Sequence, residues 1–322
     1  MNDRNIISDF RELDATDPVA CDHFFEKWGA GQSLAKSHMP YERLEAYRHV
    51  LGICKKEDKD KYMVAHKGTA FFFCALSLFD LKYFESSIFY FTAALAEDRR
   101  RSGSVTLVDY IFTPAGQILS LNHSGKWARF TTDFIDAVRY FIEKFNTQYG
   151  TSHSIEDFVQ KFVHPMLEDE RYSIITSFYS FILDYKEKDR NLRLAGGAID
   201  STEPILVNLF KGALIFETIL KHYYPRDDSG IRITTLGRFS KNSNFVADFS
   251  GVKLSIYTNA LQDILDDIVD YSTKTTLETT ARIRNTTGHK LTWDNVFEDP
   301  DNYTKLFEQE VFAILNVITA QW

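Results

Sequence analysis

The sequence predicts an all-α protein, and three observations carry that expectation. Glycine and proline are sparse, 15 and 7 in 322 residues, so long stretches contain neither turn former. Within those stretches apolar side chains return every third and fourth residue, the period of a helix face rather than the alternation of a strand. Hydrophobic residues make up 44% of the chain and aromatic ones 15%, enough to fill one large core or two medium ones.

The elements follow in order. Tyr41 to Leu51 has helical spacing, and KGTAFFFCALSLFDLKYFESSIFYFTAALAEDRR reads as two helices meeting at Asp80 to Lys82. This hairpin resembles one tetratricopeptide unit. Phe71, Ala75 and Leu78 take the packing positions of its first helix, and Phe84, Ser87, Phe91 and Ala94 those of the second. It departs from the pattern in having Ala75 where a glycine is usual and Lys82 at the turn, and no second copy is evident. Arg99, Arg100 and Arg101 then suit the carbonyl end of the second helix.

Further helical patterns cover Lys126 to Phe145, Ser154 to Phe162 and Arg171 to Tyr185, while residues 104–121 fit helix and strand equally. The stretch RLAGGAIDSTEP looks like a linker, with Pro204 suited to a first helical turn, and it sets an expected boundary near residue 195. That gives two domains: 1–194, a helical, tetratricopeptide-like region for regulation or partner binding, and 195–322, a helical bundle.

In the second domain ILVNLFKGALIFETILKHYY is apolar nearly all round, as a central helix would be. A polar loop follows, locally basic through Arg226, Arg232, Arg238 and Lys241, and a loop of that length in a compact domain is often functional. VKLSIYTNALQDILDDIVDY then reads as an amphipathic helix, with Ile256, Ala260, Leu261, Ile264, Leu265 and Ile268 on one side. Thr275 with Glu278 looks like a capping box opening the next helix, and Tyr303 to Thr319 makes the fourth member of a bundle.

Composition narrows the functions. The start MNDRNIISDFRELD is charged throughout, and the longest apolar run, Ala70 to Phe79, is half a membrane span, which predicts a soluble, cytoplasmic protein with no membrane partner. Cys21, Cys54 and Cys74 are odd in number and share no C-x-x-C spacing, so buried free thiols are expected. A formal net charge of -8 argues against a broad basic coat for duplex nucleic acid but allows a local phosphate site. No G-x-S-x-G, G-x-x-x-x-G-K, G-x-G-x-x-G or H-E-x-x-H occurs, so no cofactor and no zinc are expected. Asp266, Asp267 and Asp270 spell the magnesium-binding string of isoprenoid synthases, D-D-x-x-D. They stand near the C-terminus without the second motif those enzymes need, so a solvated acidic face is expected there.

Arg284, Asn285 and His289, in ARIRNTTGHKLTW, remain. R-N-T-T-G-H resembles the R-x(4 to 6)-H signature of the HEPN superfamily, helical bundles that include metal-independent ribonucleases. Spacing alone is not specific, since about 1.4 such pairs arise by chance in this composition and Arg43 with His49 is another. The asparagine after the arginine and the position ahead of the last bundle helix distinguish the C-terminal pair. Five residues of helix would point Arg284 and His289 to different faces, but Gly288 can end the helix and turn His289 back.

The resemblance implies a bundle in which Arg284, His289 and Asn285 are catalytic, an RNA substrate, two sites meeting across a homodimer, and a toxin or antiviral effector with the N-terminal helices as regulator. Tyrosine is missing shortly after His289, where Leu291, Thr292 and Trp293 stand, unlike the subgroup paired with nucleotidyltransferase antitoxins. The rival expectation is a non-catalytic helical adaptor whose bundle dimerises or holds a ligand.

Overall fold

The computed structural model describes residues 3–30, 39–102, 113–122, 128–168, 171–196, 202–258, 260–287 and 296–322. Among them the secondary structure is helical throughout, with sixteen α-helices and a single isolated antiparallel bridge between Arg226 and Arg232. Contacts gather the chain into two compact units, Met1–Asp133 and Phe134–Trp322.

The first unit holds α1 (Asp3–Glu12), α2 (Pro18–Phe25), α3 (Pro40–Glu57), α4 (Lys59–Val64), α5 (Gly68–Asp80), α6 (Phe84–Ser102) and α7 (Pro114–Leu119). Its core joins Ile6 and Phe10 of α1 to Phe24 and Phe25 of α2, Leu44, Tyr47 and Val50 of α3, and Cys74 and Leu78 of α5. Tyr47 and Phe73 stack, their centroids 5.3 Å apart. All three cysteines are buried free thiols, as composition leads one to expect. α5 and α6 form the expected hairpin. Ser87 on α6 donates a hydrogen bond to the Ala75 carbonyl of α5 at 2.8 Å, so the two small residues let the backbones come close. The turn is a left-handed cap, with the Tyr83 amide reaching back to the Leu78 carbonyl. Lys82 holds it at φ 65°, a conformation glycine would adopt without strain.

α8 (Ala128–Tyr149) spans the point where the two units are divided. The second unit continues with α9 (Ile155–Phe158), a π turn, α10 (His164–Glu168), α11 (Tyr172–Leu194), α12 (Glu203–Tyr223), α13 (Ser243–Asp248), α14 (Leu261–Asp266), α15 (Thr273–Thr287) and α16 (Pro300–Thr319). Its axis is α16, started by Asp299, whose side chain accepts the Asp301 amide, and Pro300 in the first turn. α16 packs on α11, α12 and α15. The Phe307 ring stacks on Tyr185 and lies 4.5 Å from the Phe181 ring. Tyr303 donates to Asn208 on α12, satisfying two buried polar groups together.

Three expectations change. The amphipathic helix expected over residues 252–271 is present only as α14, and the bundle's fourth member is α11. The backbone carbonyls of Leu254, Ile256 and Thr258 are instead taken by side chains of α15, which replace the intrahelical bonds those residues would otherwise make. The opening of α15 is capped by Ser272, whose hydroxyl lies 3.3 Å from the Thr275 amide, while Glu278 binds the Lys253 amide and makes no box with Thr275. Residue 195 was the expected boundary, yet α11, on its N-terminal side, packs against α12 and α16 on the other.

Candidate functional site

α15 brings Arg284 to its last turn because its inward face is closed by Leu277, Ala281 and Ile283, with threonines filling the narrow gaps. Thr280 and Thr287 satisfy their buried hydroxyls on the carbonyls four residues back. Arg284 is thereby left at the edge of the packed face with its side chain one-third exposed, 33%. Its Nε donates to Glu217 Oε2 of α12 at 2.7 Å, and the other oxygen of that carboxylate accepts Lys221 Nζ at 2.6 Å.

Glu217 is the buried member, its side chain 6% exposed. Burial alone would push its carboxyl up. The Lys221 ammonium and the Arg284 guanidinium outweigh burial and hold it below the ordinary value. The carboxylate therefore stays charged and fixes the guanidinium through its Nε edge. A guanidinium held this way is a preoriented cation, suited to an anionic group arriving from solvent.

Asn285, the next residue, faces residues 254–258. Its amide donates to the Ile256 carbonyl at 3.0 Å and lies 3.4 Å from that of Leu254. In this structure Asn285 thus braces backbone. Gly288 and His289 lie outside the described residues, so the structure brings Arg284 to Glu217 and Lys221 and is silent on its partnership with His289.

The chance pair of the N-terminal unit resolves differently. Arg43 reaches Ser77 and Asp80 on α5, whereas His49 binds Asp3 on α1 at 2.9 Å. They serve two separate helix contacts.

The aspartates of the D-D-x-x-D string do not share a helix face. Asp267 pairs with Arg282 at 2.8 Å, Asp266 accepts from Gln262, and Asp270 takes the Ser272 amide ahead of α15. Among the described residues no group of His, Cys, Asp and Glu is arranged to hold a metal ion. The basic loop is likewise an internally bonded structure. Asp227, with its side chain 2% exposed, accepts the Ser229 and Ile231 amides and pairs with Arg238 at 2.7 Å.

Glu217 and Lys221 escaped sequence reading, although a signal was present: a Glu four residues ahead of a Lys inside a helix otherwise apolar all round. A second cluster went unnoticed in the N-terminal unit. A cleft of about 370 Å³ there is floored by His66, whose Nδ1 lies 3.1 Å from Asp22 and whose Nε2 lies 3.3 Å from Asp98. Burial would lower the His66 pKa, but the two carboxylates raise it to about 9. Thr69 donates to Asp22, and Arg101 stands 3.8 Å from it. Arg100 instead caps α4, donating to the carbonyls of Met63, Val64 and Ala65.

No protein-family model, curated protein or solved structure matches the chain. Among the described residues no helix is long and apolar enough to cross a membrane.

Proposed function

We propose that this chain is a metal-independent endoribonuclease of the HEPN type, with Arg284, Asn285 and His289 as its site. The observation that carries the reading is Arg284 itself, a cation held at the exposed end of a bundle helix by the buried Glu217 carboxylate. A group that must meet a phosphate oxygen in one orientation gains from such an anchor.

In this reading His289 takes the proton of a ribose 2′-hydroxyl, or gives one to the departing 5′-oxygen. Arg284 neutralises the charge that grows on the phosphate between them. The 2′-oxygen bonds to phosphorus as the 5′-oxygen leaves, and a cyclic phosphate end remains. Asn285 supports the site by bracing residues 254–258 beside it. A homodimer joining two such sites, a cytoplasmic role as toxin or antiviral effector, and regulation through the N-terminal helices belong to the same proposal.

One observation favours a second reading. Both Arg284 and Asn285 already have intramolecular partners, as residues of a purely architectural adaptor would. Incubation with single-stranded RNA and a chelator separates the two. The ribonuclease cleaves, and Arg284→Ala and His289→Ala each abolish cleavage. Cleavage that survives in both variants removes the assignment, and a parent protein inert from about pH 5 to about pH 9 favours the adaptor.

A further inference from the structure

We infer that Arg226 and Arg232 form a two-arginine clamp for a backbone phosphate of single-stranded RNA, a binding site separate from Arg284. RNA as the carrier of that phosphate rests on the ribonuclease reading, and the clamp rests on the hairpin that follows α12. Residues 225–233 fold back on themselves at Gly230, which holds φ 77°. The Asp227 amide donates to the Ile231 carbonyl and the Ile233 amide to the Pro225 carbonyl, each at 2.9 Å. Those two bonds flank the antiparallel bridge between Arg226 and Arg232 and make it a non-hydrogen-bonded pair. That is the closer kind of cross-strand pair, with Cα atoms about 4.5 Å apart and both side chains on one face of the ribbon. The hairpin thus sets two arginines directly opposite each other.

Like charges so placed destabilise a ribbon, and no neighbouring carboxylate relieves them. Asp227 is buried and already holds Arg238 and the Ser229 and Ile231 amides. Asp228 accepts the Ser243 amide at 2.9 Å. Arg226 donates from Nη1 to the Gly230 carbonyl at 2.8 Å and has no ion pair among the described residues. Arg232 is exposed, and among the described residues its side chain has neither a hydrogen bond nor an ion pair. The backbone beneath them is fixed, because Asn242 donates to the Arg226 carbonyl at 2.7 Å and the Asp228 amide to the Lys241 carbonyl at 3.0 Å. The second bond brings the backbone of Lys241, another exposed cation, to the hairpin.

A phosphate between the two arginines cancels their repulsion, and each guanidinium offers it N–H donors in the fork geometry that suits phosphate oxygens. The positive charge is local. Residues 225–243 carry four cations, Arg226, Arg232, Arg238 and Lys241, against two carboxylates, in a chain of net charge -8. So small a site meets one phosphate of a strand, where a duplex calls for a broad basic face. α12, whose Glu217 anchors Arg284, runs through its cap Tyr224 into this hairpin, so one helix carries both elements.

The test compares the full-length parent with Arg226→Gln, Arg232→Gln and the double variant, and with Arg190→Gln, at an exposed position of α11, as the control. Each is first shown to melt like the parent. Binding of a single-stranded oligoribonucleotide is followed by anisotropy in the His289→Ala background over a series of salt concentrations, and cleavage is followed at steady state in chelator. Loss of the pair raises the dissociation constant and KM about ten-fold and lowers the slope of log affinity against log salt by about 1, while Arg190→Gln changes neither. Unchanged binding, KM and slope in the double variant, alongside an active parent, overturn the clamp and leave the ribonuclease reading standing. A loss in Arg190→Gln as large as in either hairpin variant also overturns it, because charge anywhere on the surface would then suffice. A parent that binds RNA through the pair without cleaving it upholds the clamp and removes the ribonuclease reading. A parent that neither cleaves nor binds the RNA removes both.

Discussion

Replacing Glu217 by glutamine tests whether the buried carboxylate exists for Arg284. The change is nearly isosteric and keeps one acceptor, but it removes the carboxylate charge that Arg284 and Lys221 share among the described residues. Breaking a fully buried ion pair costs about 3–5 kcal/mol, because a charge is left stranded. Here the stranded groups are the cations, and each side chain is 33% exposed, so water takes up much of the loss. We expect a destabilisation of about 1–2 kcal/mol.

Activity should fall by more than stability explains. With Nε no longer held by a carboxylate, Arg284 samples other rotamers, and the rate should drop about ten-fold with KM little changed, the pattern of an interaction made in the transition state. The assay is steady-state cleavage of single-stranded RNA in chelator beside thermal melts across pH. The Glu217 carboxyl titrates below its ordinary 4.5, so its stabilisation is complete above that value and is lost as pH falls through the folded-state pKa. The glutamine variant should lack that share of acid sensitivity. Parent-like kcat in Glu217→Gln, with the acid melting profile shifted as expected, would refute the positioning argument while leaving the ion pair intact as architecture.

Three other expectations follow from buried groups. His66 titrates near 9 against an ordinary 6.5, so its contribution of about 3 kcal/mol is whole below 6.5 and disappears as pH rises through 9. Melting of the parent should therefore weaken over that interval, and His66→Gln should flatten the trend; an unchanged slope counts against the Asp22–His66–Asp98 clamp. Gly212→Ala puts a methyl 2.4 Å from the Phe181 ring and 2.5 Å from Glu310 Oε2, and should destabilise by about 1–2 kcal/mol by calorimetry despite the better helix propensity of alanine. Glu310 is wholly buried, neither of its oxygens has a hydrogen-bond partner among the described residues, and burial raises its pKa well above normal. Its ionisation opposes folding increasingly as pH rises, so Glu310→Met should melt higher than the parent at about pH 8 by about 1–3 kcal/mol, and a lower melting point would show that the carboxyl has a role the fold depends on.

Periodicity made α5, α6, α12 and α16 legible, because each buries a continuous face whose partners lie along its own length. Residues 252–271 carried the same signal and did not become one helix. The difference lies in competition for the backbone. Side chains of Asn285 and Thr286 take the carbonyls that a helix would use, and nothing within residues 252–271 announces that a segment 28 to 31 residues away will do so. The site shows the same limit. Arg284 and Asn285 stood out by local pattern, but the carboxylate that fixes Arg284 is 67 residues away on α12.

That separation also links the two misreadings. By bracing residues 254–258, Asn285 keeps them from completing a helix. What the sequence offered as an amphipathic helix followed by an unrelated polar helix end is one structural unit, in which α12 orients the arginine and α15 holds residues 254–258. Variants of Asn285 should for that reason disturb residues 254–258. In Asn285→Ala the loss of both carbonyl contacts should raise the solvent exchange of the Ile256 to Thr258 amides well before it changes the melting of the bundle, because α16, and not residues 254–258, carries the core.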